Sequence, residues 1–327
     1  MLRLRLGGEP QVVMHWRNEK FQRAIAQADI EQCDAVIGFD TSSNILVDRA
    51  TNAGRPLILD QTIAHPKSKH RVYESIKTQF PDWADDMDVR AHKVSAGEEY
   101  EHKKATKIVV ASSFTKESLV ENGVSGEKII LNPYGVDLTR FSSKHQERRS
   151  GPFRFLFAGL VCARKGIPLL LQAWKKLRPK EAELWIVGPR TPTAAAKCKS
   201  EDNVKIVGQV PNAELASIMS QSDVFVFPSY FEGFGLVLLE AMAAELPVLT
   251  TTATAAPDIL TEDKDGFIIK PGDLDALVNK MEFCLKNRGL LSEMGKRARA
   301  TAEQFSWDAY GERWAEILSR QELGRKR

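Results

Sequence analysis

Short apolar runs alternate with longer stretches of helical periodicity along the chain, and this alternation predicts parallel sheets joined by crossover helices. In the first half, residues 33–40 and 56–61 are predicted to be buried strands, separated by a helix that ends near Gly54. A third strand, over residues 106–113, precedes a helix and a further strand that begins at Lys128. The fold class that this pattern predicts is α/β.

The second half of the chain repeats the pattern. Its apolar runs predict strands at residues 153–159, 182–189, 203–210, 223–229, 247–252 and 266–270. Between the halves lies a polar stretch without periodicity, residues 142–151, which is typical of an interdomain linker. We therefore expect an N-terminal domain over 1–147, a C-terminal domain over 148–305, and a C-terminal helical segment over 306–327 that packs back on the N-terminal domain.

Composition supports a globular protein and narrows its partners. The 327 residues are 43% hydrophobic and 27% charged, and this length exceeds what one hydrophobic core usually supports. The net charge of +3 argues against a nucleic-acid-binding protein, which needs clustered surplus charge. The basic residues 324–327 are interpreted as a solvated terminus, with peripheral contact to anionic lipid as the alternative.

The sequence also predicts a cytoplasmic location. The four cysteines have no paired spacing, which disfavours a disulfide framework and fits a reducing compartment. The first residues lack the apolar core of a signal peptide, and apolar runs long enough to span a bilayer are not found.

The candidate chemistry is concentrated where one buried strand ends and a helix begins. After the strand at 223–229, a glycine-bearing turn leads into a helix, so the backbone amides of Phe234, Gly235 and Leu236 are expected to lack intrahelical partners. An open helix start of this kind attracts phosphate groups.

Two carboxylates bracket that helix start. Glu232 lies in the turn, and Glu240 lies about 8 Å beyond the helix start. Because a carboxylate accepts hydrogen bonds from two hydroxyls, a diphosphate at the helix start would place one polyol near each of them. The alternative is an amphipathic core helix with a capping glutamate.

A second loop supports this hypothesis. The strand at 153–159 runs into Arg164, Lys165 and Gly166, after which a helix begins. The lysine then lies at the carboxyl end of a parallel strand, where open α/β sheets bind ligands, and its ammonium can reach the same phosphates. A surface pair of cations is the alternative.

Three segments together resemble the family-4 glycosyltransferases, which are retaining enzymes of the GT-B fold. They are FAGLVCARKGIPLLLQAW, FVFPSYFEGFGLVLLEAMAAELPVLTT and ILNPYGVDLTRF, and the resemblance covers about residues 30 to 320. It implies two Rossmann-like domains that face a cleft, with a nucleoside-diphosphate-sugar donor on the C-terminal domain. The acceptor, a carbohydrate, lipid or small molecule, would enter over the N-terminal domain.

The resemblance also implies a role for each matching residue. It implies that Gly159, Arg164 and Lys165 contact the donor diphosphate and that Glu232 contacts the hydroxyls of the donor sugar. The amides of Phe234 to Leu236 would contact the distal phosphate, Glu240 would contact the ribose, and Val210 would lie beside the base. The catalytic group would consist of Lys165, Glu232 and His65. His65 is included because it follows the strand at 56–61, at an end expected to face the cleft; an ordinary loop histidine is the alternative.

Two features depart from the pattern of the family. Leu160 stands where arginine is common, and Arg164 is expected to supply the missing positive charge. The N-terminal domain is also expected to be shortened by about two βα units. Either the sequence is a fragment or has an incorrect start, or the protein is a reduced member of the family whose acceptor site differs.

The function that follows is transfer of a sugar to an acceptor hydroxyl with retention of configuration, without a metal or another cofactor. A non-catalytic nucleotide-sugar-binding homologue, a partner subunit and a sugar-nucleotide epimerase of the same fold remain alternatives. The acidic stretch 85–88 contains an Asp-x-Asp pattern that could hold a divalent cation, but an acidic loop is the preferred interpretation. A dinucleotide-binding glycine motif after a strand is not found.

Overall fold

The computed structural model describes residues 10–87, 92–141, 151–200 and 203–319. In these ranges the strands form two separate parallel sheets, one of four strands and one of six. Both sheets are flanked by helices, so the α/β prediction is confirmed. The N-terminal strands lie within or close to their predicted positions, and all six predicted strands of the second half are present.

The first sheet is built from the N-terminal half. Its elements are α1 (Pro10–Ala24), α2 (Gln27–Gln32), β1 (Val36–Phe39), α3 (Leu46–Asn52), β2 (Leu57–Gln61), α4 (Pro66–Gln79), α5 (His92–Lys104), β3 (Lys107–Val110), α6 (Ser113–Glu121) and β4 (Ile129–Leu131). The strand order is β1-β2-β3-β4. One face of this sheet is covered by a core that includes Leu57, Leu59, Ile108 and residues of α2, α3 and α6.

The second sheet is built from the C-terminal half and has the order β10-β9-β8-β5-β6-β7. Its elements are β5 (Phe153–Ala158), α7 (Ile167–Leu177), β6 (Ala182–Val187), α8 (Pro192–Lys197), β7 (Val204–Val207), α9 (Asn212–Ser220), β8 (Val224–Phe227), α10 (Leu236–Ala243), β9 (Val248–Thr251), α11 (Ala256–Ile259), β10 (Gly266–Ile269), α12 (Leu274–Lys286) and α13 (Arg288–Ala302). The order departs from the chain sequence between β8 and β5, because β5 pairs with both β6 and β8. Such a crossover point is where ligands bind in open α/β sheets.

The last described helix, α14 (Trp307–Leu318), connects the two halves. The spacing of its aromatic residues predicts one aromatic face, and the structure packs Trp314 and Ile317 of that face on Ile58 and Val109 of the first sheet. The helix therefore covers part of the sheet face opposite the core at α2, α3 and α6. The linker residues 142–150 and the basic tail lie outside the described residues.

Direct hydrogen bonds join the two halves of the molecule. At the N-terminus of α6, the hydroxyls of Ser112 and Thr115 both donate to the carbonyl oxygen of Gly233, at 2.5 and 3.1 Å. The next amide, that of Ser113, donates to the carboxylate of Asp258 at 2.8 Å. These contacts bring the carboxyl end of the first sheet against the loop that precedes α10. In the part of the chain that the structure describes, no helix is both long and apolar enough to cross a membrane.

Candidate active site

A charged cluster lies where β5 and β8 end. Glu232 accepts from the ammonium of Lys165 at 2.6 Å, from the guanidinium of Arg164 at 3.1 Å and from the hydroxyl of Ser229 at 2.6 Å. Arg164 also donates to the carbonyl oxygen of Phe231. Three of the residues selected from the sequence thus come together. Two cations face one carboxylate, so this cluster carries a net charge of about +1.

Glu232 is ionised although it is only 6% exposed. Burial opposes the charge on this carboxylate, but the charges of Lys165 and Arg164 and their hydrogen bonds outweigh burial and lower its pKa. The ammonium of Lys165 also lies 4.9 Å from the ring centroid of Phe227, which adds a cation–π contact. The side chains are therefore fixed from several directions before any ligand is present.

Two glycines in left-handed conformations shape the backbone around the cluster. Gly166 has φ 79°, and a Cβ there would lie 2.0 Å from the carbonyl oxygen of Pro228. The absence of that Cβ lets the Lys165 loop lie directly on the end of β8. Gly235 has φ 89° and precedes α10, which has no side-chain cap at its start. The first amides of α10 thus remain available to an anion.

The other donor residues selected from the sequence lie on α10 and just after β5 and β7. Glu240 lies on α10, is partly exposed, and has its pKa raised by burial, with Arg140 lowering it in part. Leu236 and Leu160 are both exposed. Gly159 ends β5 in a conformation with φ 142°, and Val210 lies just after β7, partly buried.

His65 lies in a different environment from the charged cluster. It caps the start of α4, where its Nδ1 accepts from the backbone amide of Lys67 at 3.1 Å. Its ring lies 5.3 Å from that of His102 and lines a cavity of about 420 Å³ together with residues of α5 and of the segment that follows α6. Burial lowers the pKa of His65 to about 4, so the imidazole is neutral at pH 7. No described contact joins it to Lys165 or Glu232, and its catalytic role stays a prediction.

Carboxylates also line the N-terminal side of the interface. Asp40 follows β1 and accepts from the hydroxyl of Thr62 at 2.9 Å, and Asp60 lies near the end of β2. The loop after β1 is held by the buried Glu101, which accepts from the backbone amides of Thr41 and Ser43 at 2.9 and 2.7 Å. Burial raises the pKa of Glu101 to about 7, although both amides lower it. The sequence analysis did not select these residues.

The acidic stretch 85–88 takes part in the domain contact. Asp86 accepts a hydrogen bond from the backbone amide of Ala163, next to Arg164, at 2.9 Å. Asp88 lies outside the described residues. Across the described ranges, histidine, cysteine and acidic side chains form no group of three or more that could hold a metal ion.

Substitution of Gly233 by alanine is expected to separate the two sides of the interface. An added Cβ would lie 1.8 Å from the backbone oxygen of Thr62, a distance that only a backbone movement can relieve. Because the clash lies between domains, we expect turnover to fall by at least tenfold while the thermal unfolding temperature changes by less than about 4 °C. Alanine at Gly289, where a Cβ meets nothing within 4 Å, is the control. Equal turnover of the two variants would show that the contact is not needed.

Ser229, Ser112 and Asp258 also support the site and were missed by the sequence analysis. Ser229 orients Glu232, and the other two join α6 to the loop before α10 and to α11. The only signal in the sequence was their position at strand ends and helix starts, which many serines and aspartates share.

The protein has two parallel sheets, one in each domain. The carboxyl ends of their strands meet near the start of α10, where free backbone amides attract anions. Residues 139–301 match the family Glycosyl transferases group 1. The capsular polysaccharide biosynthesis glycosyltransferase CapM of Staphylococcus aureus is 27% identical over 236 residues, which are 66% of this chain and 59% of CapM. The chain spans between 49% and 59% of the length of the first relatives that it matches.

Solved structures show the same fold. Sucrose-phosphate synthase from Thermosynechococcus elongatus superposes with a TM-score of 0.77 at 22% identity, over 96% of this chain and 80% of the other. HepE from Anabaena, in complex with UDP, superposes with a TM-score of 0.72 at 17% identity, over 92% of this chain and 81% of the other. The chain therefore has the GT-B glycosyltransferase fold.

Proposed function

We propose that this protein transfers a sugar from a nucleoside-diphosphate-sugar to an acceptor hydroxyl, with retention of anomeric configuration and without a metal or another cofactor. The observation that carries the proposal is the cluster of Arg164, Lys165 and Glu232 beside the uncapped start of α10. This arrangement offers positive charge to a diphosphate and a carboxylate to the adjoining sugar.

The charges match those that develop during transfer. As the bond between the sugar carbon and the phosphate oxygen breaks, negative charge grows on the leaving diphosphate and positive charge on the sugar carbon. Lys165, Arg164 and the first amides of α10 stabilise the diphosphate, while the carboxylate of Glu232 is placed near the sugar. The protein thereby supplies the charge that a divalent cation would otherwise provide.

Retention requires the acceptor to approach the face from which the diphosphate departs. The acceptor oxygen forms the new bond to the sugar carbon, and its proton passes to the phosphate oxygen released by the broken bond. The leaving group thus acts as the base, and the proposal needs no separate proton acceptor on the protein.

The relatives support this assignment by what they bind and make. CapM takes part in capsular polysaccharide biosynthesis, and HepE has been crystallised with UDP and with UDP-glucose. We infer that the donor of this chain is a nucleotide sugar of the same class, and that its product is a glycoside built into a larger saccharide.

The test is product analysis with a panel of UDP-, GDP- and ADP-sugars. We expect mass spectrometry to show a product heavier than the acceptor by one sugar residue, and NMR to show the same anomeric configuration as in the donor. An isomerised nucleotide sugar without transfer would identify an epimerase instead. Donor binding without any turnover would identify a non-catalytic binding protein.

Substitution of Glu240 by glutamine is expected to raise the donor KM about tenfold and to leave kcat within a factor of two. A ribose contact is equally strong in the ground state and the transition state, so its loss weakens binding and not the chemical step. Titration calorimetry with the nucleoside diphosphate provides a second measurement. Unchanged affinity in the variant would exclude the ribose contact; Glu245→Gln, just beyond α10, serves as the comparison.

A further inference from the structure

Asp60 is a buried carboxylate to which no described residue donates a hydrogen bond. It is 8% exposed and lies on β2 among the apolar residues Leu57, Ile58 and Leu59. Burial and the negative charge of the neighbouring Asp40 both raise its pKa, and no described hydrogen bond lowers it again. Buried carboxylates are normally satisfied by donors, so a largely buried one without a donor from the described residues can accept a hydrogen bond from a ligand.

The same sheet face carries exposed apolar surface next to Asp60. Phe39 is the register partner of Asp60 on β1, so the two Cα atoms are about 5 Å apart and their side chains share a face. Phe39 is 55% exposed, and Ile37, the register partner of Ile58, is exposed as well. Strands of parallel sheets are usually covered on both faces. Among the described residues, α14 covers this face over Ile58, Val109 and Ile130, while Phe39 and Ile37 on β1 stay exposed.

Two phenols complete the surroundings of Asp60. Burial raises the pKa of Tyr134, which follows β4, and the charges of Asp60 and Asp40 raise it further. Burial also raises the pKa of Tyr310 on α14, and Asp60 again contributes. Both phenols therefore remain protonated and uncharged while they face the carboxylate.

This region adjoins the loop that carries the donor site. The ring of Tyr134 lies 5.2 Å from that of Phe234, next to the start of α10. Thr62, two residues after Asp60, contacts Gly233 so closely that a Cβ there would lie 1.8 Å from its oxygen. A molecule bound at Asp60 thus lies beside the position proposed for the donor.

We propose that Asp60 binds the acceptor by accepting a hydrogen bond from a hydroxyl of a neutral saccharide, whose ring lies against Phe39 and Tyr134. The inference rests on the proposed function and assigns its acceptor class. A saccharide has both kinds of group that this surface can bind. Its hydroxyls donate hydrogen bonds to a carboxylate, and its C–H faces pack on aromatic rings.

The charge of the site selects against anionic acceptors. Asp40 and Asp60 lie on adjacent strands, and the backbone amide of Asp40 donates to the carbonyl oxygen of Asp60 at 3.2 Å. A phosphate or carboxylate on the acceptor would meet two negative charges here, and like charges at short range disfavour binding. We therefore expect neutral glycosides to be preferred over their phosphate esters.

Acceptor use is also expected to depend on pH. Burial and Asp40 raise the pKa of Asp60 to about 6. The other ionisable groups that interact with it are the neutral phenols of Tyr134 and Tyr310. Arg313 interacts with Tyr310 and donates to Asn132 and Pro133. Because the ionised carboxylate is the stronger hydrogen-bond acceptor, kcat/KM for the acceptor should rise through pH 6 and then level off.

The experiment compares the wild-type chain with Asp60→Asn in transfer to methyl glucoside, methyl galactoside and methyl mannoside, and to their 6-phosphates. The asparagine variant keeps the shape of the side chain and removes the repulsion from Asp40, so it should unfold at the same or a higher temperature. We expect at least a tenfold increase in the acceptor KM, an unchanged donor KM, and loss of the rise in kcat/KM near pH 6. Asp60→Glu should restore part of the acceptor affinity.

Two further variants complete the design. Phe39→Ser removes only exposed aromatic surface and should also raise the acceptor KM, while Asp29→Asn, at an exposed position on α2, should change nothing. An unchanged acceptor KM in Asp60→Asn, a preference for the phosphate esters, or failure of every methyl glycoside as an acceptor would overturn the inference. If the wild-type chain binds no nucleoside-diphosphate-sugar in titration calorimetry, the proposed function itself fails.

Discussion

Substitution of Glu232 by glutamine is expected to lower kcat by about 10²-fold, which corresponds to about 3 kcal/mol of transition-state stabilisation. Glutamine fills the same volume and still accepts from Ser229, so the change removes the negative charge and little else. That charge holds Lys165 at 2.6 Å and Arg164 at 3.1 Å. In the proposed mechanism it also stabilises the positive charge that develops on the sugar carbon. Single-turnover kinetics with saturating donor measures the chemical step directly.

The control for this variant is Glu214→Gln, an exposed position on α9 that makes no described contact with the cluster. Stability must be followed as well, because loss of Glu232 leaves two partly buried cations without their carboxylate, and breaking even a fully buried pair costs about 3–5 kcal/mol. The kinetic prediction applies at temperatures where circular dichroism shows both variants to be folded. Turnover of folded Glu232→Gln within a factor of three of the control would remove Glu232 from the chemistry.

Substitution of Lys165 by methionine is expected to reduce kcat by about 10²- to 10³-fold. Methionine retains an apolar side chain beside Phe227 and removes the ammonium, which in the proposed mechanism stabilises the departing diphosphate. The effect should be larger on kcat than on the donor KM, because the charge on the diphosphate increases as the bond breaks. Lys175→Met, exposed on α7, is the matched control.

Combining the two substitutions shows whether Lys165 and Glu232 act together in catalysis or make independent contributions. Lys165 and Glu232 are in direct contact, so their effects on kcat should be far from additive, and the double variant should be about as slow as the slower single variant. If the two losses multiply instead, the residues act separately. The ion pair between Lys165 and Glu232 would then have a purely structural role in the loop.

Much of the donor side could be predicted because its chemistry follows from local chain geometry. A strand that ends in a glycine turn before a helix produces free amides whatever surrounds it, and Arg164, Lys165 and Glu232 each lie within a few residues of such an end. The structure then showed that the two loops meet, because β5 and β8 are neighbours in the sheet. Neighbouring strands bring their ends together even when about 70 residues separate them in the chain.

The N-terminal side could not be predicted in the same way. His65 was selected for its position after β2, but its Nδ1 is engaged with Lys67 and its ring lies beside His102. Asp60 was overlooked because a polar residue at the end of an apolar strand has no distinctive spacing. Its importance depends on the absence of a donor near a buried carboxylate, and that depends on which elements pack around it.

The α/β class, the strands of both halves and the charged loops near α10 could be predicted from the sequence, since each depends on the periodicity or turn chemistry of a short stretch. The folded molecule was needed to show which strand ends face each other, how α14 lies on the first sheet, and that Asp60 beside Phe39 lies next to the donor loop. Burial, charge pairing and exposure arise from residues far apart in the chain, so they are defined once the domains have packed.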